Sequence, residues 1–312
     1  MSELETNTIS LLILPIDLLI KVSDNILETN GFLIYRHSCK LLYNILLSLK
    51  LYTNNTCTHS IDMRYGRREG QFIVYDNESI SSIKTYRNNK LYGKCQYMVN
   101  GLPFVIIHYK NNMRHGKKIE YTIEDQVKYI ENYYNGDLHG RQYTYFDNGK
   151  IESKYNFVNG KLHGLQTLYW RNGIKKTSKY YKNGILNGKE YNFSNSGELL
   201  CILNYNQVGL AHGINQFFYS TDTIAKTLHY RNGMLNGECF VFWFNGNIKK
   251  RYNYINGVLS GLMIEYDIYE AIICLRYYKY GFLHGYQMEM ENNRLIRIEC
   301  YELGDLVSSK NY

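Results

Sequence analysis

Five histidines stand immediately before a glycine: His115, His139, His163, His212 and His284. Imidazoles at a fixed spacing are the raw material of a metal array or a series of general bases. Asn187, Asn236 and Ser260 fill the same place in other stretches of the chain. A place that takes His, Asn or Ser is held for turn geometry and not for ligation. The remaining His37, His59, His108 and His229 have no partner at a ligand spacing such as His-x-x-x-His. Seven cysteines (39, 57, 95, 201, 239, 274, 300) are an odd number with no Cys-x-x-Cys pair, which reads as buried free thiols in a reducing compartment. Carboxylates such as Glu124, Asp125, Glu289 and Glu291 belong to no constellation with a nucleophile. There is no nucleophile elbow, phosphate loop or dinucleotide glycine pattern. The expectation is a protein that is not an enzyme and needs no metal or cofactor.

These residues sit in an unusual background. The chain of 312 residues is 45% hydrophobic and 21% charged, and holds 33 Tyr, 34 Asn and 25 Gly against 3 Ala and 2 Pro. Tyr and Ile favour strands, Asn-Gly favours tight turns, and scarcity of Ala argues against helix. Thirty of the Tyr and 24 of the Gly lie after residue 60. The charge divides at the same point: residues 1–60 sum to −1 and residues 61–312 to +9. The basic residues are scattered singly or in pairs, with no run of five, so no nucleic-acid arm is visible and nucleic acid is not an expected partner.

A repeat explains the bias. Short motifs end in Gly70, Gly93, Gly116, Gly140, Gly164, Gly188, Gly213, Gly237, Gly261 and Gly285, at spacings of 23 to 25 residues. Seven residues before the anchor glycine stands an aromatic: Tyr86, Tyr109, Tyr133, Phe157, Tyr181, Tyr230, Tyr254 and Tyr278. The copy ending at Gly213 has Tyr205 at eight residues, a one-residue insertion. Within one copy, Arg141–Phe146 alternates, Asp147-Asn148-Gly149 turns, Ile151–Phe157 alternates again, and Asn159-Gly160 makes the next turn. Period-two runs joined by Asn-Gly are hairpin signals. The expected architecture is mainly β: an elongated, single-layer antiparallel meander of about ten hairpin repeats over 61–312, each copy touching only its neighbours. At two strands per copy it would extend about 95 Å.

The string Tyr181-Lys182-Asn183-Gly184-Ile185-Leu186-Asn187-Gly188 resembles the MORN repeat (membrane occupation and recognition nexus) in its longer variant form. The resemblance covers about residues 61–308. It implies a non-enzymatic interaction scaffold holding a protein partner or, in the alternative, an anionic phospholipid surface. The standard repeat has a second glycine two residues after the anchor, where this chain has Gln142, Gln166 or Glu190. Off the strict phase, Trp170, Trp243 and Tyr219 are candidates for exposed contact.

Residues 1–50 lack the repeat. Leu14, Leu18, Val22 and Ile26 fall at helical spacing, with Pro15 and Asp17 in the first turn, and a second apolar segment runs from Phe32 to Leu49. A small helical module is expected, followed by a Thr- and Asn-rich linker at 51–60. The string Leu14-Pro15-Ile16-Asp17-Leu18-Leu19, followed by Ser38-Cys39-Lys40-Leu41-Leu42-Tyr43, resembles an F-box, although the Trp usual after Cys-Lys is missing. That resemblance implies docking to a Skp1-type adaptor of a cullin ubiquitin ligase through Leu14, Pro15, Asp17, Leu18 and Leu19. The alternative is a helical cap over the first edge of the sheet. The acidic start Met-Ser-Glu-Leu-Glu matches neither a secretory signal nor a transit peptide, and Ile9–Ile20 is too short to span a bilayer, so an intracellular, cytoplasmic setting is expected.

Overall fold

A computed structural model describes residues 59–64, 67–76, 79–220 and 222–312. The helical module expected at 1–50 lies outside them, and with it Leu14, Pro15, Asp17, Leu18 and Leu19. All regular structure among the described residues is strand, and every strand pairing is antiparallel. The described residues from His59 to Pro103, with Tyr109–Asn112, form one unit, and Phe104–His108 with Met113–Tyr312 form a second.

In the first unit, His59–Arg64 pairs with Arg67–Asp76, which pairs with Ser79–Arg87, which in turn meets Gly93–Val99. Cys95, with no exposed surface, and Ser82 are buried there, and the Cys95 thiol accepts from the Thr85 N–H at 3.5 Å.

The second unit is a meander in chain order, from Met113–Tyr121 to Asp305–Asn311. One copy shows the construction. Gly140–Tyr145 pairs with Ile151–Val158 over six positions, from Gly140↔Phe157 to Tyr145↔Ile151, with a bulge between Thr144 and Tyr145. Between them the five-residue turn is closed by Phe146 N–H donating to the Lys150 carbonyl and Gly149 N–H to the Phe146 carbonyl, at 2.8 and 3.0 Å. The chain then reverses through Asn159 and Gly160, at φ 49° and 74°. Positive φ at both central residues is the type I′ geometry that matches strand twist, and Asn and Gly are the residues that adopt it at least cost. Lys161–Leu162 pairs back on Val158 and Phe157.

Here the structure departs from a simple run of hairpins. After Leu162 the chain slips sideways at His163 and Gly164, so the next strand, Gly164–Tyr169, meets the previous one at only two positions, Ser153↔Leu168 and Lys154↔Thr167. The same short join recurs at Lys226↔Val241 with Thr227↔Phe240, and at Lys250↔Glu265 with Arg251↔Ile264. In the copy ending at Gly213 the extra residue lies in this region: the reversing loop bridges Tyr205↔Ala211, one residue longer than Phe157↔Leu162.

Strand alternation gives the sheet two faces. On the packed face lie the anchor glycine and the residue two places on; the residue between them points to the open face. The burial pattern over these three places is intermediate, exposed, buried at Gly140, Gly164, Gly188, Gly213, Gly237, Gly261 and Gly285. The buried line is thin and largely polar, including Gln142, Gln166, Glu190, Asn215, Cys239, Met263 and Gln287.

Candidate binding surface

The two most regular sequence positions prove to be direct partners. Gly116 faces Tyr133, Gly140 faces Phe157, Gly164 faces Tyr181, Gly188 faces Tyr205, Gly213 faces Tyr230, Gly237 faces Tyr254 and Gly261 faces Tyr278. A ring opposite a glycine covers backbone that no side chain of its own protects. Gly93 and Tyr109 stand at the same repeat phase in the first unit, and every anchor from Gly93 to Gly285 has positive φ, between 73° and 115°. These residues make the frame.

The residue two places beyond the anchor fills the gap left by the short join. Gln166 Oε1 accepts from the Asn156 N–H at 2.7 Å, and its Nε2 donates to the Asn156, His163 and Gly164 carbonyls. Gln142 does the same for Asn132, and Gln287 for Tyr277. Asn215 accepts from the Asn204 N–H at 2.7 Å. A primary amide has the donor and acceptor of a peptide group, so it replaces a missing rung of the ladder. This accounts for Gln at that place.

The histidines before the anchors act between copies. His139 Nδ1 accepts from the Asn159 N–H, His163 Nδ1 from Asn183, His212 Nδ1 from Asn232 and His284 Nδ1 from Leu303, each at 3.4 Å. Each therefore ties its strand end to the turn about twenty residues on. Among the described residues no three His, Cys, Asp or Glu side chains gather as a metal site.

The tryptophans are also committed. Trp170 Nε1–H donates to the Phe193 carbonyl and Trp243 Nε1–H to the Tyr266 carbonyl, one copy on, at 3.1 and 3.2 Å. Lys176 and Lys249 lie over these rings at 4.4 and 4.1 Å from the centroids. Both indoles are half-buried ties between neighbouring turns, while Tyr219 keeps its ring exposed and donates its hydroxyl to Phe242.

Protonation follows the packing. Burial pushes the Cys95, Cys239 and Cys274 thiols above their ordinary value, away from the thiolate form a nucleophile needs. Burial, aided by Tyr109, pushes Tyr97 up to about 12; burial, aided by Glu190, does the same to Tyr205, and burial likewise raises Tyr252 to about 12. On the packed face, a recess of about 340 Å³ includes Arg276, Glu289, Arg297 and Glu299. Its guanidiniums are already paired: Arg276 with Glu265 and Glu289 at 3.6 and 3.8 Å, and Arg297 with Glu299 at 2.5 Å.

The open face is different. Lys117, Arg141, Leu165, Lys189, Ile214, Glu238, Leu262 and Tyr286, each directly after an anchor glycine, are all exposed. Neighbours in this row lie about 24 positions apart in the chain, so its basic residues look scattered in the sequence; strand pairing lines them up. No helix among the described residues is long and apolar enough to cross a membrane.

A search of curated proteins returned no match to the chain. A family model described as the MORN repeat variant matches residues 138–159, 162–184 and 235–256. Over those three stretches the chain is similar to that repeat, and the glycine–aromatic frame described above continues on both sides of them.

Proposed function

We propose that the chain is a non-enzymatic scaffold that holds a protein partner on its repeat sheet. One observation carries this reading. The places that hold the frame repeat from copy to copy, whereas the exposed place after the anchor reads Lys, Arg, Leu, Lys, Ile, Glu, Leu, Tyr. A regular frame bearing irregular exposed side chains is the construction of a repeat-based recognition surface. Lysine-directed cross-linking of the full chain in its native cell tests it. A stoichiometric partner cross-linked to sheet lysines supports the reading; recovery of the chain alone, without cross-links, removes it.

Within this reading, the F-box-like segment docks a Skp1-type adaptor, making the chain a substrate adaptor of a cullin ubiquitin ligase. The support is the Leu14-Pro15-Ile16-Asp17-Leu18-Leu19 string. The full chain should pull down the adaptor, and the Leu14→Ala/Pro15→Ala variant should not. Equal recovery by both, or none by either, leaves a scaffold without a ligase role. An anionic membrane surface is the second reading, motivated by the +9 of residues 61–312. Co-sedimentation with phosphatidylserine vesicles that fades with salt would favour it.

A further inference from the structure

The exposed row on the open face has an order and a pitch. Register places its members level across the strands. Lys117 faces Asn132, whose side chain donates to the Arg141 carbonyl; Arg141 faces Asn156; Leu165 faces Tyr180; Lys189 faces Asn204, whose side chain donates to the Ile214 carbonyl. The row members stand on every second strand, about 9.6 Å apart. The first five read basic, basic, aliphatic, basic, aliphatic.

These bases are available. Lys117, Arg141 and Lys189 form no ion pair among the described residues. Nearby carboxylates are engaged elsewhere: Glu120 and Glu131 hold Lys118 at 3.3 and 2.9 Å, and Glu190 holds Lys179 at 3.1 Å, all on the packed face. Leu165 is 60% exposed and Ile214 52%. Glu238, the next in line, pairs with Arg251 and closes the basic stretch.

A uniform polyanion would match the bases and waste the two aliphatic positions between and beyond them. Base stacking needs a succession of rings, whereas the one Tyr, Phe or Trp level with these five places is Tyr180, opposite Leu165 and 44% exposed. An α-helix presents the same face every seven residues, about 10.5 Å, within a tenth of the row's pitch. We propose that the row from Lys117 to Ile214 is a docking strip for an acidic amphipathic helix of a partner protein. The helix lies across the strands, with carboxylates facing Lys117, Arg141 and Lys189 and aliphatic side chains facing Leu165 and Ile214. This rests on the scaffold reading and names the face and the chemistry of its partner.

The test uses the full chain and a labelled, alanine-based helical peptide carrying Glu, Glu, Leu, Glu and Leu at successive seven-residue steps. The control peptide has the same composition in the order Leu, Glu, Glu, Glu, Leu, which meets at most three of the five places in any register. Anisotropy at low salt should show the matched peptide binding at least about tenfold tighter, because order as well as charge is read. Arg141→Glu with Lys189→Glu should abolish binding, and replacing only the peptide's second and third glutamates, those that face 141 and 189, by lysines should restore it, which also shows that the variant is folded. Equal binding of the two peptides, or no restoration, overturns the strip. So does a variant that loses oligothymidylate or phosphatidylserine vesicles while neither peptide binds the parent chain. If the strip fails but partner cross-links persist in the double variant, the scaffold reading survives; if the parent chain has no cross-linked partner, both fall.

Discussion

Two kinds of strand boundary alternate through the second unit, and they are held differently. Inside a hairpin, as between Gly140–Tyr145 and Ile151–Val158, backbone pairs with backbone over six positions. Between hairpins, as from Ile151–Val158 to Gly164–Tyr169, two positions pair and a buried Gln166 supplies the rest. The first boundary depends on turn residues and alternation; the second depends on one side chain and a glycine. Local opening should therefore begin at the joins, where fewer backbone bonds must break and one side chain guards them.

The contrast can be broken most strongly at Gly237. A Cβ there would lie 2.7 Å from His229 Nδ1, on a backbone at φ 115°. Gly237→Ala should cost about 3 kcal/mol, since left-handed strain and overpacking act together. Gly188→Ala, with nothing within 4 Å of the added carbon, should cost only the strain of about 1–2 kcal/mol. Equal melting shifts for the two would deny that close approach at the join matters.

Gln166→Ala leaves the half-buried Asn156 N–H without its partner, while the carbonyl keeps the His163 N–H, and should cost about 1–3 kcal/mol. Native-state hydrogen exchange should speed up at the Asn156 amide while the six positions of the neighbouring hairpin stay protected. Uniform acceleration across both boundaries would mean that they open as one.

The hairpin side can be strengthened. Glu270 occupies, at φ 70°, the turn place filled elsewhere by Gly149, Gly173 and Gly246. Glu270→Gly should stabilise by about 1 kcal/mol, read as a rise in urea midpoint. The smallest effect concerns Tyr252, which faces Cys239 inside a hairpin. Its hydroxyl is raised to about 12 by burial, so the folded chain keeps a proton that the unfolded chain sheds near 10. Stability is thus full below pH 10 and is lost as pH climbs from 10 towards 12. Tyr252→Phe should begin its alkaline unfolding later than the parent; an unchanged curve would place the alkaline transition at other groups.

How much of this was legible follows the same division. The hairpins could be read because their determinants are local: Asn159-Gly160 and Asp147-Asn148-Gly149 announce turns, and Ser153, Tyr155 and Phe157 alternate. The one-residue insertion before Gly213 was legible for the same reason. The joins could not be read, because Gln142, Gln166 and Gln287 look like ordinary polar strand residues until register puts a bare peptide group beside them. The pairing of anchor glycine with aromatic was visible as two regular positions, though not as one contact. Trp170 and Trp243 looked free because their partners, Phe193 and Tyr266, lie a copy away. The row after the anchors escaped notice because lateral neighbours are far apart in the chain.

The loop between Tyr205 and Ala211 offers a practical opening. Its extra residue has been absorbed while Asn215 still holds the Asn204 amide and Gly213 still faces Tyr230. A corner that tolerates one additional residue without slipping the strands on either side is where a reporter peptide or fluorophore-bearing segment should be accepted, and Val208, 68% exposed at its tip, marks the point of insertion.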